Sequence, residues 1–262
     1  MKSILILLLS LLYLTSFGQF TNDDYAGAKA KGQVRSTVTE GYNRADSTDK
    51  LFTHLWMVRK QDYNKKGQLV KLTSSYDLRG SDIHEEFVNT YSYDLKGNLQ
   101  NIVLHYANGK TAEKKTFSFV TPRFIIVQQH LYNGDTSRES IQLRLDRFNR
   151  KIEEHNYGSY TDTSVMAYNG VTYFKYDKRG YRILKSTHHP DGERRFYTIT
   201  TYNKNGDIIE FTDYAGTPAR PLFTGRHKYT KYDSHHNWIK SVNVMSNGKS
   251  NGRFVRTLTY YK

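Results

Sequence analysis

Between Leu51 and Lys262 the apolar residues alternate with polar ones in short segments, and nothing in that span carries helical spacing. Tyr and Thr are abundant in these segments and suit strands with one packed and one wet face. The pattern predicts an all-β protein, an antiparallel meander of repeated hairpins forming an extended, curved or coiled sheet. Its strands are punctuated by one recurring turn. Copies begin at Tyr63 (YNKKGQL), Tyr76 (YDLRGSDI), Tyr93 (YDLKGNL), Leu145 (LDRFNRKI), Tyr176 (YDKRGYRI), Tyr202 (YNKNGDI) and Tyr232 (YDSHHNW). A repeat of this kind fixes the whole architecture.

Each position of the turn has a physical job. The aromatic residue, as at Tyr63, Tyr93, Tyr176 and Tyr232, ends a strand and packs beside the apolar residue that restarts the next. Asp or Asn, as at Asp94, Asp177 and Asp233, caps the turn by accepting backbone N–H bonds. The fifth position needs positive φ, as in a type I turn closed by a left-handed residue and a bulge. Gly67, Gly80, Gly97, Gly180 and Gly206 fill it, and the substitutes Asn149 and His236 are residue types that tolerate that conformation. The restart comes six positions on at Leu69, Leu99, Ile208 and Trp238, but seven on at Ile83, Ile152 and Ile183, where a bulge is expected. Six further dipeptides, Asn108-Gly109, Asn133-Gly134, Asn169-Gly170, Asp191-Gly192, Asn247-Gly248 and Asn251-Gly252, predict two-residue hairpins at the other strand ends.

The first 50 residues differ. Lys2, an apolar run from Ile4 to Leu14 and small residues up to Gly18 read as a signal peptide over 1–18. That run is about 11 residues, short of the ~20 that span a bilayer. Residues 19–50 form a polar lead with a first edge strand at 33–42, and 51–262 is one continuous β domain. The chain holds no cysteine, which excludes disulfides, thiol catalysis, Cys-based zinc sites and a lipoprotein anchor. The expected product is exported and soluble, periplasmic or secreted.

The motifs YDLKGNL, YDKRG and YDSHHNW resemble YD repeats, the unit of the Rhs-like family of bacterial surface and toxin proteins, over most of 60–240. The opening GQVRSTVTEGYN is similar to the start of small exported repeat proteins of Bacteroidetes-type bacteria. The resemblance implies antiparallel sheets of the kind that coil into a shell around a toxin. Seven units are too few for a closed shell of that kind. No toxin domain is expected, and none of Pro122, Pro190, Pro218 and Pro221 follows an Asp, as the family's self-cleavage motif requires. Carbohydrate binding is a further property that the resemblance implies.

Chemistry is sparse. The pairs His188-His189 and His235-His236 put neighbours on opposite strand faces, so neither chelates a metal alone. They read as surface residues, or as ligands only if distant strands combine. Glu85-Glu86 and Glu153-Glu154 diverge for the same reason and cannot flank one glycosidic bond. No catalytic residue, cofactor or metal site is expected. The formal charge is +14. Lys and Arg on strands read either as guards of sheet edges or as a basic, aromatic binding face. Arg226, Lys228, Lys231 and Lys240, with the rings of Tyr229 and Trp238, form the candidate ligand site, although Trp238 also fits a core position. The expected function is an exported, non-enzymatic scaffold or binding protein of the envelope. Its partner would be polysaccharide, lipopolysaccharide or an acidic protein, with no nucleic acid. The alternatives are a carbohydrate-active hydrolase with a site assembled from distant strands, and an accessory of an Rhs-type toxin system.

Overall fold

Among residues 32–44, 52–77, 84–132, 138–159, 167–216, 220–245 and 250–262, which the computed structural model describes, there are sixteen strands. They are β1 (Val34–Arg44), β2 (Phe52–Tyr63), β3 (Leu69–Asp77), β4 (His84–Tyr93), β5 (Leu99–Tyr106), β6 (Thr111–Thr121), β7 (Phe124–Leu131) and β8 (Arg138–Leu145). Then come β9 (Lys151–Ser159), β10 (Ala167–Tyr176), β11 (Arg182–His188), β12 (Arg194–Tyr202), β13 (Ile208–Ala215), β14 (Arg220–Tyr232), β15 (Trp238–Met245) and β16 (Ser250–Tyr260). Each pairs antiparallel with its sequence neighbours. β1 also pairs with β16, from Val34↔Tyr260 to Tyr42↔Arg253. The meander is therefore a closed barrel, not the extended or coiled sheet expected from its sequence. The reason lies in β1, placed at an edge by its sequence: it carries two full ladders, to β16 and to β2, and leaves no edge.

The recurring turn stands at one end of the barrel. Among the described residues, positive φ occurs at Gly67, Gly97, Asn149, Gly180, Gly206 and His236, and Asn149 and His236 are the only non-glycines that show it. Gly80, Ile83 and the dipeptides at 133 and 247 lie outside the described residues, as does the segment 1–18. Tyr76 and Asp77 sit at the opposite end and pair through to His84 without a register shift, so that copy is not equivalent to the others. In all six remaining copies the first residue pairs with the sixth after it, followed by a register shift, including Leu145↔Lys151 and Tyr176↔Arg182. The bulge is thus general. The seven-residue spacing at Ile152 and Ile183 arises because Lys151 and Arg182 occupy the usual restart slot.

The other glycine dipeptides are also corrected. Asn108-Gly109 and Asp191-Gly192 form the same four-residue turn, with Tyr106 N donating to Lys110 O and His189 N to Glu193 O. Asn169-Gly170 and Asn251-Gly252 lie within β10 and β16. The tight hairpin is Pro122-Arg123, between paired Thr121 and Phe124.

Side-chain bonds explain the turn's chemistry. The Asx oxygen accepts from the amides two and four residues on: Lys66 and Gln68 for Asn64, Phe148 and Arg150 for Asp146, Arg179 and Tyr181 for Asp177, His235 and Asn237 for Asp233. The sixth residue then complements the second. Asp takes a donor there, Asn98 or Arg150, whereas Asn takes an acceptor, Gln68 or Asp207.

The motif tyrosines tie each turn to the one before it. Tyr93 Oη donates to Leu69 O, Tyr176 Oη to Lys151 O and Tyr202 Oη to Arg182 O. Leu145 follows the Pro122-Arg123 hairpin, where no such turn precedes it, and it alone lacks the hydroxyl. A Tyr202→Phe variant is therefore expected to lose about 1 kcal/mol, the worth of one hydrogen bond, while a Leu145→Phe change gains no such bond to lose. Urea titration of both variants checks this.

Candidate functional site

Register sorts the strand residues into two faces. One carries Thr37, Gln61, Leu72, Leu104, Val127, Leu143, Thr172, Phe174, Thr200 and Ser241, all buried. Lys115 of β6 and Glu154 of β9 act on each other from this face, three strands apart. Side chains converge in that way only on a concave wall, so this is the inner face. Its apolar cluster is Ile125, Val127 and Leu143, with Phe117, Ile141 and Leu145 packed against it.

Beside that cluster the inner wall is charged. Lys151 Nζ bonds Glu154 Oε2 at 2.7 Å and sits 4.5 Å above the Phe174 ring. Lys115 pairs with Glu113 at 2.9 Å. Thr198 donates to Asp213 at 2.6 Å. Burial pushes the Glu154 carboxyl up, but Lys151, Lys185 and Lys115 outweigh it and hold the group below its usual range. Burial, with Arg182 and Lys151 nearby, pushes the Lys185 amine down to about 8. Burial and Glu113 push the Glu139 carboxyl up against the pull of Lys115.

These shifts set a pH dependence. Between about 8 and the ordinary lysine value near 10.4, unfolded Lys185 holds a proton that the folded amine has released, so stability from this group rises with pH. A Lys185→Met variant is expected to be more stable than wild type at pH 7 by up to about 3 kcal/mol, with the gain gone above pH ~10.4. Thermal melts of both proteins across that range test it.

The other face carries Glu40, Lys60, Lys114, Glu153, Glu210, Arg226 and Lys228 at paired strand positions. The six residues of the predicted ligand site divide between the two faces. Arg226, Lys228, Lys231 and Lys240 lie outside and are exposed, with Lys231 directly opposite Lys240. Arg226 is held by Glu210. Tyr229 and Trp238 lie inside, 5.7 Å apart, with Tyr229 Oη bonded to Ile208 O and the Arg256 guanidinium over the Trp238 ring. Plain alternation separates Lys228 from Tyr229, and register shifts at Thr230 and Ile239 then bring Lys231 to the outer face and take Trp238 to the inner one. Among the described residues, no group of three or more His, Asp or Glu could hold a metal ion.

Two pairs of tyrosines also stand on the outer face and were missed in the sequence, because the members of each pair come from different strands. Tyr197 stacks on Tyr214 at 4.5 Å, and Tyr157 lies 5.2 Å from Tyr168. No helix among the described residues is long and apolar enough to cross a membrane.

No protein-family model matches the chain. No curated protein matches it. Among solved structures, the fold is similar to that of a porin-like protein from Bacteroides uniformis ATCC 8492, with a TM-score of 0.52 and 9% identity over 87% of this chain and 99% of that one. A TcdB2-TccC3 structure is matched at a TM-score of 0.32 and 11% identity, over 84% of this chain and 14% of that one. The Photorhabdus luminescens Tc holotoxin pore is matched at a TM-score of 0.20 and 9% identity, over 77% of this chain and 15% of that one.

Proposed function

We propose that the protein is an exported, non-enzymatic β scaffold of the YD-repeat kind that binds an anionic polymer of the bacterial envelope through the outer face of β14 and β15. The observation that supports it is the set of charges borne by the outer barrel face. Glu40, Lys60, Lys114 and Lys228 stand on the outer face, while Glu154, Lys185 and Asp213 stand on the inner wall. A Lys or Arg on a lipid-facing wall costs about 2–4 kcal/mol at mid-membrane, so a lipid band on the outer face is heavily penalised. The outer charges suit water, which favours this reading over a membrane pore of the porin-like type.

On the outer face, Lys231 and Lys240 are opposed without a carboxylate partner among the described bonds and ion pairs, and Lys228 lies on the same strand face. Like charges opposed across a ladder destabilise it. An anionic ligand relieves that repulsion. Pull-down against an acidic polysaccharide tests the proposal. Binding is expected at low salt, weakening as the Debye length shrinks from ~10 Å at 0.1 M to ~3 Å at 1 M. A Lys231→Glu/Lys240→Glu variant is expected to lose at least about tenfold in affinity, about 1.4 kcal/mol. Absence of binding at low salt, or indifference to the double reversal, contradicts the proposal.

A second reading, glycan hydrolysis inside the barrel, is favoured by Glu139, whose raised carboxyl stands near Glu113 on the inner wall. Hydrolysis of any glycan by the wild type, abolished in Glu139→Gln, would establish it instead.

A further inference from the structure

The turn tips at the repeat end of the barrel carry a second basic surface. Asp94 and Asp146 fold their carboxylates back onto the turn amides, so the residues that follow them point outward. Along one arc, three consecutive hairpins, β4–β5, β6–β7 and β8–β9, each present an exposed apolar residue and an exposed cation, adjacent in sequence in the first and third. Leu95 precedes Lys96, and Val120 lies three residues before Arg123, across the Pro122 turn. Arg147 precedes Phe148, with both Arg147 and Arg150 over its ring at 4.8 and 4.9 Å. Leu95 is 101% exposed, Phe148 61% and Val120 57%. No strand ladder or core contact accounts for such exposure at Leu95 or Phe148, and the acids of this arc are already engaged in capping. Elsewhere on the same rim Lys65-Lys66, Lys178-Arg179 and Lys204 add exposed cations without apolar tips.

Apolar tips flanked by Lys and Arg match the chemistry of a bilayer's interfacial zone. The apolar group enters the acyl boundary while the cation stays with anionic headgroups. We infer that this arc docks the barrel end-on onto an anionic lipid surface, with Leu95 and Phe148 inserted and Lys96, Arg123 and Arg147 at the headgroups. The rest of the basic rim then faces the same leaflet. This goes beyond the polymer reading, uses none of its residues and stands if that reading fails.

The test is co-sedimentation of residues 19–262, which contain every strand of the barrel, with phosphatidylcholine vesicles that do or do not contain phosphatidylglycerol. Binding is expected only to the anionic vesicles and is expected to weaken with salt. Leu95→Ser/Phe148→Ser is expected to weaken it at least about tenfold, whereas Lys231→Glu/Lys240→Glu leaves it unchanged. A Lys96→Glu/Arg147→Glu variant, altered only at exposed tips, gives the same readout if the first variant does not fold. The inference is overturned by absence of binding to anionic vesicles, by equal binding to neutral ones, or by a folded tip variant that binds like wild type.

Discussion

Replacement of Gly170 by Ala is expected to be the most damaging single-methyl change in the barrel. Gly170 sits in β10 at φ +120°, where the register slips between Tyr168↔Tyr157 and Gly170↔Asn156. A Cβ there would overlap the backbone carbonyl oxygen of His188 on the paired strand β11. Backbone cannot swing aside as a side chain can, so the ladder must open or the bulge must move. The expected cost is about 3–5 kcal/mol, combining left-handed strain with steric displacement. For a chain of this size that is a fall of roughly 10 °C in Tm. Gly192→Ala is the control, since its φ is +88° but a Cβ there meets nothing within 4 Å. Its cost is expected near 1–2 kcal/mol, the left-handed penalty alone. Equal melting temperatures for the two variants would show that the bulge does not hold Gly170 against His188.

Deletion of Tyr260, Tyr261 and Lys262 is expected to have the second-largest effect, because these residues fasten the barrel's seam. Tyr260 Oη donates to Asp233 Oδ2 and accepts from Asn237 Nδ2, and its ring stacks on His235 at 4.3 Å. Tyr261 N donates to Gln33 O, and its hydroxyl donates to Tyr63 O. The last residues thus join β16 to the sixth turn on one side and to β1 and β2 on the other. Losing about four hydrogen bonds at ~1 kcal/mol each gives a cost near 4 kcal/mol. The deleted protein is also expected to be cut by protease near β1 and β16 before any other strand pair. Retention of wild-type urea resistance would show that the seam is held elsewhere.

The seam also shows why the architecture was only partly legible in the sequence. Strand and turn positions are local facts. Asn149 and His236 marked the left-handed slot because few non-glycine residues tolerate it. Closure is not local: it depends on β1 meeting a strand that begins more than 200 residues later, and no spacing within either segment reports that pairing. The complementarity between Asn64 and Gln68, or Asp94 and Asn98, was readable in the copies themselves, but only with the knowledge that the sixth residue turns back to the second.

The candidate site was harder to read for a related reason. Strict alternation puts Tyr229 and Lys231 on one strand face, and only the extra residue Thr230 separates them. A bulge in mid-strand has no composition of its own here, so the sequence did not show that Lys231 shares a face with Lys228 and not with Tyr229. The inner charges were invisible for another cause. Lys115, Glu154 and Lys185 come from β6, β9 and β11, and only curvature brings them together. The rim arc had the same origin, because Leu95 and Phe148 come to one rim, with the β6–β7 hairpin between them, only once the hairpins are set side by side in the closed barrel.

The most direct test of the closed barrel is a disulfide across its seam, in a chain that contains no cysteine of its own. Val38 pairs with Thr257, and Thr39 with Arg256. In an antiparallel ladder, adjacent pairs alternate between wide and close spacing, so one of the two suits a disulfide. Val38→Cys/Thr257→Cys and Thr39→Cys/Arg256→Cys are each oxidised under dilute conditions, beside the hairpin pairs Thr200→Cys/Phe211→Cys and Thr201→Cys/Glu210→Cys within β12 and β13. The closed barrel predicts an intrachain disulfide in at least one seam variant, as readily as in the hairpin pairs. Disulfides in the hairpin pairs with none in either seam variant would contradict closure and restore an open sheet.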